Sequence, residues 1–218
     1  DNAKKIVSEF SNNVSNMIYL NGELSNQIIK NIKDKNTQFI QISTDCVFDG
    51  TKGDRSEEDI PDNEELYAIS KRNGEIFDNI NLTIRTAIIG HEIHRKQSLL
   101  DWFLYNEEKE VDGFRNAYFS GLTTLELSKI LSNYISSNKK ISGLYHISGP
   151  KTNKYDLLKL VQEQYKKKII INKNIKFKID RSLNSKKAIE KGIYIQKSWK
   201  TMLLEQFEFF QKHRVIFK

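Results

Sequence analysis

Three short runs constrain what this chain can fold into more than any other feature: Phe39 to Ser43 (FIQIS), Leu82 to Ile89 (LTIRTAII) and Gly143 to Ser148 (GLYHIS). Each is apolar or β-branched and too short for a buried helix, so each reads as a strand buried in a parallel sheet. Between them lie segments with helical spacing. Residues 25–35 (SNQIIKNIKDK) bring Ile28, Ile29 and Ile32 onto one face, Leu66 to Asn79 follows a helical pattern, and so does Tyr155 to Tyr165 (YDLLKLVQEQY). Residues 175–180 (IKFKID) alternate like a strand with one wet face, and Trp199 to Lys212 closes the chain as an amphipathic helix. Strands alternating with helices predict an α/β fold built on a parallel sheet with right-handed crossovers. In such sheets a ligand lies outside the carboxyl ends of the strands. Two polar clusters fall there, Ser43-Thr44-Asp45 after the first strand and His146-Ile147-Ser148 at the end of the third.

Composition excludes several classes. The 218 residues are 38% hydrophobic and 29% charged, which suits a folded globular chain and not a disordered one. No stretch approaches the ~20 apolar residues that cross a bilayer, and no basic segment followed by an apolar one marks the chain for export. No membrane partner and a cytoplasmic location are therefore expected. The single cysteine, Cys46, makes no internal disulfide, suits a reducing compartment and excludes a zinc site built from cysteines. The histidine pair His91 and His94 has no evident third ligand, so no metal is expected. The net charge of +7 comes from scattered lysines, and its densest run, Lys166-Lys167-Lys168, ends a predicted helix, where cations oppose the dipole. With no nucleic-acid module in view, no nucleic-acid partner is expected.

The strongest chemical signal is Tyr67-Ala68-Ile69-Ser70-Lys71. Tyr and Lys four apart share a helix face one turn from each other. A nearby ammonium stabilises phenolate and is expected to lower the Tyr67 pKa, making it a proton donor or acceptor toward a substrate oxygen. The spacing alone is a weak signal, because both residue types are common here. Its context strengthens it: Thr44 ends the preceding strand, where a hydroxyl can bond the same substrate oxygen, and a long polar loop of the kind that carries function joins the two.

Several blocks then carry a resemblance. The string Ile42-Ser43-Thr44-Asp45-Cys46-Val47-Phe48-Asp49-Gly50 resembles the ISTDYVFDG block of the dTDP-4-dehydrorhamnose reductase family, within the extended short-chain dehydrogenases/reductases. Tyr67 to Lys71 with Gly74-Glu75 is similar to that family's YGxSKxxGE, and Glu58-Asp59-Ile60-Pro61 resembles its acidic-proline loop. Leu82 to Thr86, Gly143 to Ser148 and Asp180 to Ser185 resemble its LIxRT, GxYHxS and RxxxSxLDS segments, in the right order.

The resemblance implies a Rossmann-like doubly wound parallel sheet with a smaller α/β C-terminal substrate-binding region, divided as residues 1–90 and 91–218. It implies Thr44, Tyr67 and Lys71 as catalytic residues, with Ser43, Tyr67, Lys71 and Thr86 toward an NAD or NADP cofactor. It implies a nucleotide-sugar substrate contacted by Asp45, Val47, Phe48, Asn116 and Arg181. Val47 and Phe48 also read as ordinary core packing, Arg181 also as a surface ion pair, and Arg85 as structural, paired with a carboxylate. Cys46 replaces the usual Tyr of its block and reads as a small pocket-lining residue. Asn21 resembles the Asn that precedes the helix before the catalytic strand.

The sequence departs from the family at its start, where the glycine-rich strand-turn-helix that cradles a pyrophosphate is not found. Asp1 falls within what matches the family's third or fourth helix. An active reductase represented in part is the leading reading, and a non-catalytic nucleotide-sugar binding or regulatory protein of the same fold is the alternative. The strands at Phe39–Ser43 and Leu82–Thr86 are expected to border an open sheet edge, and self-association as a homodimer is expected.

Overall fold

A computed structural model describes residues 14–34, 36–137 and 139–217. The expected helix around Asp1 lies outside the described residues, as does Lys35 at the end of the first expected helix. The described chain begins with a helix, α1 (Val14–Ile18), which runs through a π-helical turn (Tyr19–Glu23) into α2 (Leu24–Asn31). Strand β1 (Ile40–Thr44) follows and ends in a tight 3-10 turn at Asp45–Val47. A long loop leads to α3 (Leu66–Asn73), then to β2 (Leu82–Thr86) and β3 (Ile88–Ile89).

The main sheet has the order β1-β2-β6, with β6 at Gly143–His146. Both pairings are parallel, Ile42 lying opposite Ile84 and Ile84 opposite Tyr145. Every residue of β2 is buried, as expected of the central strand of a covered parallel sheet. This corrects part of the expectation about the edge. β2 is flanked on both sides, and only β1 is an outer strand on that side among the described residues.

The expected strand Leu82–Ile89 breaks at Ala87, beyond which β3 leaves the sheet and pairs with β5 (Leu122–Thr123). The expected helix Leu66–Asn79 stops at Asn73, because the chain turns at Gly74 and Asp78 accepts from the Ile80 and Asn81 amides at 2.8 and 2.6 Å. Such side-chain acceptors offer the backbone an alternative to the helix.

The C-terminal half adds elements that local patterning did not reveal: α4 (Leu99–Tyr105), β4 (Glu110–Phe119) and α5 (Thr124–Ser136). β7 (Thr152–Asn153) and α6 (Lys154–Tyr165) follow β6, and β8 (Ile170–Asp180) extends the expected strand toward its start by several residues. These form a second sheet of order β7-β4-β8, with β4 parallel to β8 and antiparallel to β7. Two helices, α7 (Lys186–Glu190) and α8 (Trp199–Lys212), complete the fold before a 3-10 turn at Arg214–Phe217. One apolar core spans both halves, from Leu82 and Ile84 on β2 through Phe103 and Leu157 to Met202 and Leu203 on α8. The assembly is a Rossmann-like α/β fold with a smaller α/β region beside the carboxyl ends of its parallel strands.

Candidate active site

The carboxyl end of β1 sets the site. Thr44 is extended and caps the following turn, its hydroxyl oxygen accepting from the Cys46 amide at 3.1 Å. The same hydroxyl donates to Asp45 Oδ1 at 3.2 Å. Asn63 fastens the turn from outside: its side-chain amide donates to the Cys46 carbonyl at 2.8 Å and its backbone N–H to the Val47 carbonyl at 3.1 Å.

Helix α3 brings Tyr67 and Lys71 against this strand end. Lys71 reaches back to β1, where Nζ donates to the Ile42 carbonyl at 2.7 Å. Burial lowers its pKa, with the charge of Glu75 opposing. Two contacts hold the helix in place. Asn21, in the π-helical turn, donates to Ser70 Oγ at 3.1 Å, and Ser70 donates to the Tyr67 carbonyl at 2.8 Å. Gly74 at the helix end packs so closely on that turn that a Cβ there would overlap the Asn21 carbonyl oxygen. Asn21 therefore acts on the helix that carries Tyr67, a contact that its place in the sequence did not reveal.

Tyr67 and Lys71 meet the strand end together, as their spacing predicts, but the expected electrostatics differ. Burial, followed by the nearby Cys46 and Asp45 charges, pushes the Tyr67 phenol up to about 12, with the neighbouring Thr44 hydroxyl pulling the other way. Lys71 does not offset this, since its ammonium is directed at the Ile42 carbonyl. Burial likewise pushes the Cys46 thiol up to about 12, with Asp45 adding to the shift, which makes it a poor nucleophile at neutral pH. Asp45 is buried and raised by desolvation, with the Arg181 guanidinium the first group opposing that rise.

Beside this corner opens a cleft of about 550 Å³. Asp45 and Cys46 line it from the main sheet, Trp102 from α4, Phe114 and Tyr118 from β4, Lys154 from α6, Phe177 from β8 and Arg181 from just beyond that strand. The Phe114 and Phe177 rings lie 5.4 Å apart across the β4–β8 pair. Arg181 is held against this corner, its Nη1 3.4 Å from Cys46 Sγ.

Other residues singled out in the sequence fall elsewhere. Ser43 donates to Glu75 at 2.6 Å, and Glu75 in turn clamps Arg85 through two bonds of 2.7 Å, so Arg85 is the structural, carboxylate-paired residue expected of it. Thr86 is buried, with its hydroxyl 3.5 Å from the Ala87 carbonyl. Val47 and Phe48 do not line the cleft: they form a small buried cluster with Leu183, and the guanidinium groups of Arg55 and Arg85 lie 5.0 and 5.3 Å from the centre of the Phe48 ring. Asn116 is also absent from the cleft lining, its amide donating to the Ile175 carbonyl at 3.0 Å beside an irregularity in the β4–β8 register. His91 is locked between Asp101 at 2.6 Å and Tyr165 at 3.0 Å, and His94 is exposed.

Sequence reasoning missed Trp102, the aromatic wall and Lys154. One signal for Lys154 was available. It follows the helix cap Asn153, in a first turn where the positive end of the helix dipole disfavours a cation. A lysine placed against that field has a reason other than helix stability.

A parallel sheet with a hydroxyl, a phenol and an ammonium gathered at one carboxyl end defines a Rossmann-like protein of the short-chain dehydrogenase/reductase type. Comparison with solved structures agrees. A hypothetical dTDP-4-dehydrorhamnose reductase from Sulfolobus tokodaii superposes with a TM-score of 0.67 at 25% identity, over 79% of this chain and 65% of that one. A dTDP-4-dehydrorhamnose reductase from Bacillus anthracis, in complex with NADP, gives 0.67 at 19% identity over the same shares. DesIV, a dTDP-glucose 4,6-dehydratase from Streptomyces venezuelae with NAD and TYD bound, gives 0.72 at 15% identity over 97% of this chain and 72% of that one. The chain thus spans less than two thirds of the two reductases. A search of curated sequences finds no match. The family model described as RmlD substrate binding domain matches residues 7–203, and the chain belongs to that family.

Proposed function

We propose that this chain carries the catalytic and substrate-binding part of an oxidoreductase that reduces the 4-keto group of a nucleoside-diphosphate sugar with NADH or NADPH, supplying sugars for cell-surface polysaccharide. The observation that carries this reading is the gathering of Thr44, Tyr67 and Lys71 at the carboxyl end of β1, beside a cleft lined with aromatic and cationic side chains. Relatives that superpose on the chain hold NADP or NAD. The donor set here suits the same class of cofactor. Hydroxyls and an ammonium at a strand's carboxyl end match ribose hydroxyls, and the Lys71 hydrogen bond to Ile42 takes one of the three donors that an ammonium carries. A bound nicotinamide would supply the hydride.

The residues of the chain do the rest. With its pKa near 12, the Tyr67 phenol keeps its proton at neutral pH and is poised as an acid. Thr44, at the end of β1 beside Tyr67, fixes where the substrate oxygen stands. As negative charge develops on that oxygen, Tyr67 passes it a proton. Burial makes Lys71 readier to give up its own proton than a lysine in water, which favours restoring the phenol.

The test is Tyr67→Phe in the full-length protein, followed by NADPH oxidation with dTDP-4-dehydrorhamnose. Turnover is expected to fall by about 10²-fold or more, the scale of a lost general acid. Near-wild-type turnover in a folded variant would overturn the role of Tyr67.

A further inference from the structure

Lys71 and Glu75 are four residues apart, and each holds one of two consecutive residues of β1. Lys71 Nζ donates to the Ile42 carbonyl at 2.7 Å, and Glu75 Oε1 accepts from the Ser43 hydroxyl at 2.6 Å. Glu75 lies just past α3, where its backbone N–H donates to the Arg72 carbonyl at 3.1 Å and fixes it to the helix end. Its carboxylate also takes two prongs of the Arg85 guanidinium, Nε and Nη2, at 2.7 Å each. Ser43 faces Arg85 in the β1–β2 register, and Arg85 faces His146 in the β2–β6 register. A row of polar side chains therefore crosses the main sheet one residue before Thr44, and Glu75 joins that row to the helix that carries Tyr67.

The Glu75 and Arg85 side chains are both out of water. A buried ion pair adds little net stability over an apolar pair of the same volume. Its consequence here is electrical: a carboxylate is fixed near an ammonium that burial pushes toward its neutral form. The other titratable groups of the surrounding elements do not take that part. Asp45 and Cys46, on the turn after β1, act on Tyr67, and His146 on β6 is held neutral. Arg72, on the same helix, donates to the Pro61 carbonyl, and Glu23 in the π-helical turn is exposed. Arg85 on β2 has the same sign as Lys71. Glu75 is the charge that favours the Lys71 ammonium.

We propose that Glu75 is a positioning residue of the reaction: anchored by Arg85 and Ser43, it keeps Lys71 charged and aimed at the end of β1. The role rests on reading this corner as a reductase site. The proton that Lys71 returns to the phenol has to be on the ammonium when the carbonyl is reduced, and Lys71 then regains one from solvent. Glu75 acts through Lys71 and touches neither substrate nor cofactor.

Glu75→Gln in the full-length protein tests this with two readouts. Competitive acetylation with acetic anhydride, followed at Lys71 by mass spectrometry, titrates the ammonium without any need for turnover. The pH profile of kcat for NADPH-dependent reduction of dTDP-4-dehydrorhamnose has its alkaline limb at Lys71, since Tyr67 titrates higher, at about 12. Loss of the Glu75 charge disfavours the ammonium, so both midpoints are expected to move to lower pH by about one unit. An unmoved acetylation midpoint overturns the proposal, as does a moved midpoint with an unmoved kcat limb. Glu75→Gln combined with Arg85→Gln removes both partners of the pair, so folding is not asked to tolerate a stranded buried charge. A downward shift in this double variant too supports the role. A midpoint back at the wild-type value overturns it, because the single variant's shift would then have come from the stranded Arg85 guanidinium. A shifted acetylation midpoint in a protein without reductase turnover leaves the coupling of Lys71 to Glu75 standing and removes the reductase reading.

Discussion

At the scale of single residues, His146 shows how partners fix a protonation state. It is fully buried on β6, with Nδ1 3.0 Å from the Arg55 carbonyl and Nε2 3.5 Å from Arg85 Nη1. A guanidinium only donates, so Nε2 must accept, and Nδ1–H donates to the carbonyl. The ring is neutral, and burial together with the Arg85 charge holds its pKa down at about 3. The sign of the pH effect follows. Between the ordinary value of 6.5 and about 3, the unfolded chain binds a proton that the native chain refuses, so stability falls as pH falls through that window. The slope for one such proton is about 1.4 kcal/mol per pH unit. Thermal melts from about pH 6.5 to about pH 4.5, above most carboxylate titrations, should show this loss, and His146→Gln should flatten it. An unchanged slope in the variant would place the titration elsewhere.

At the scale of elements, the joint between the π-helical turn and α3 sets the aim of Tyr67. Gly74→Ala would drive a Cβ into the Asn21 carbonyl, a backbone atom with nowhere to go. The expected cost is about 1–3 kcal/mol from overpacking, read as a lowered denaturation midpoint, together with a loss of turnover larger than stability alone explains. A variant of native stability and activity would show that the joint yields. The elements around this joint were legible because their signals are local. β1, β2 and β6 are short apolar runs, α3 carries its Tyr–Lys spacing, and Arg85 announced its buried carboxylate. The cleft was less legible, because its wall is made by long-range pairing. β4 reads EVDGFRNAYF, a sequence with little strand signal until β8 lies alongside it, and β8 is mostly solvent-facing. Arg181 meets Cys46 across a separation of 135 residues. No periodicity within a window encodes such a meeting. Where Asn116 and Phe48 lie is likewise set by structure outside a local window, the β4–β8 register and the 3-10 turn.

At the scale of the whole molecule, stability should be graded. The centre of the main sheet is dry on all of β2, whereas β8 is an outer strand with most of its residues exposed. Local opening is easiest where few apolar contacts hold the backbone. Native-state hydrogen exchange should find the Leu82–Thr86 amides the slowest, near the global unfolding limit, and those of residues 172–178 exchanging much faster. Equal protection of the two strands would mean that the sheets open only together.

The loop between β1 and α3 runs through both halves of the fold. Gly50, which takes a positive φ of 90° where a Cβ would overlap Ile179, accepts from the Asp180 amide at 2.7 Å. Arg55 donates to the Ser182 carbonyl at 3.0 Å and accepts from the Asn184 amide at 2.7 Å, a bridge of parallel strand type to the segment that carries Arg181. Side chains of Asp49, Asp59 and Asp62 surround the Arg55 guanidinium. For anyone grafting specificity between relatives, this stitch sets the unit of exchange. A chimera joined near residue 90 would take the loop from one parent and its seam from the other, so residues 49–63 and 179–185 have to be inherited together for the transplanted cleft to close against the end of its new β1.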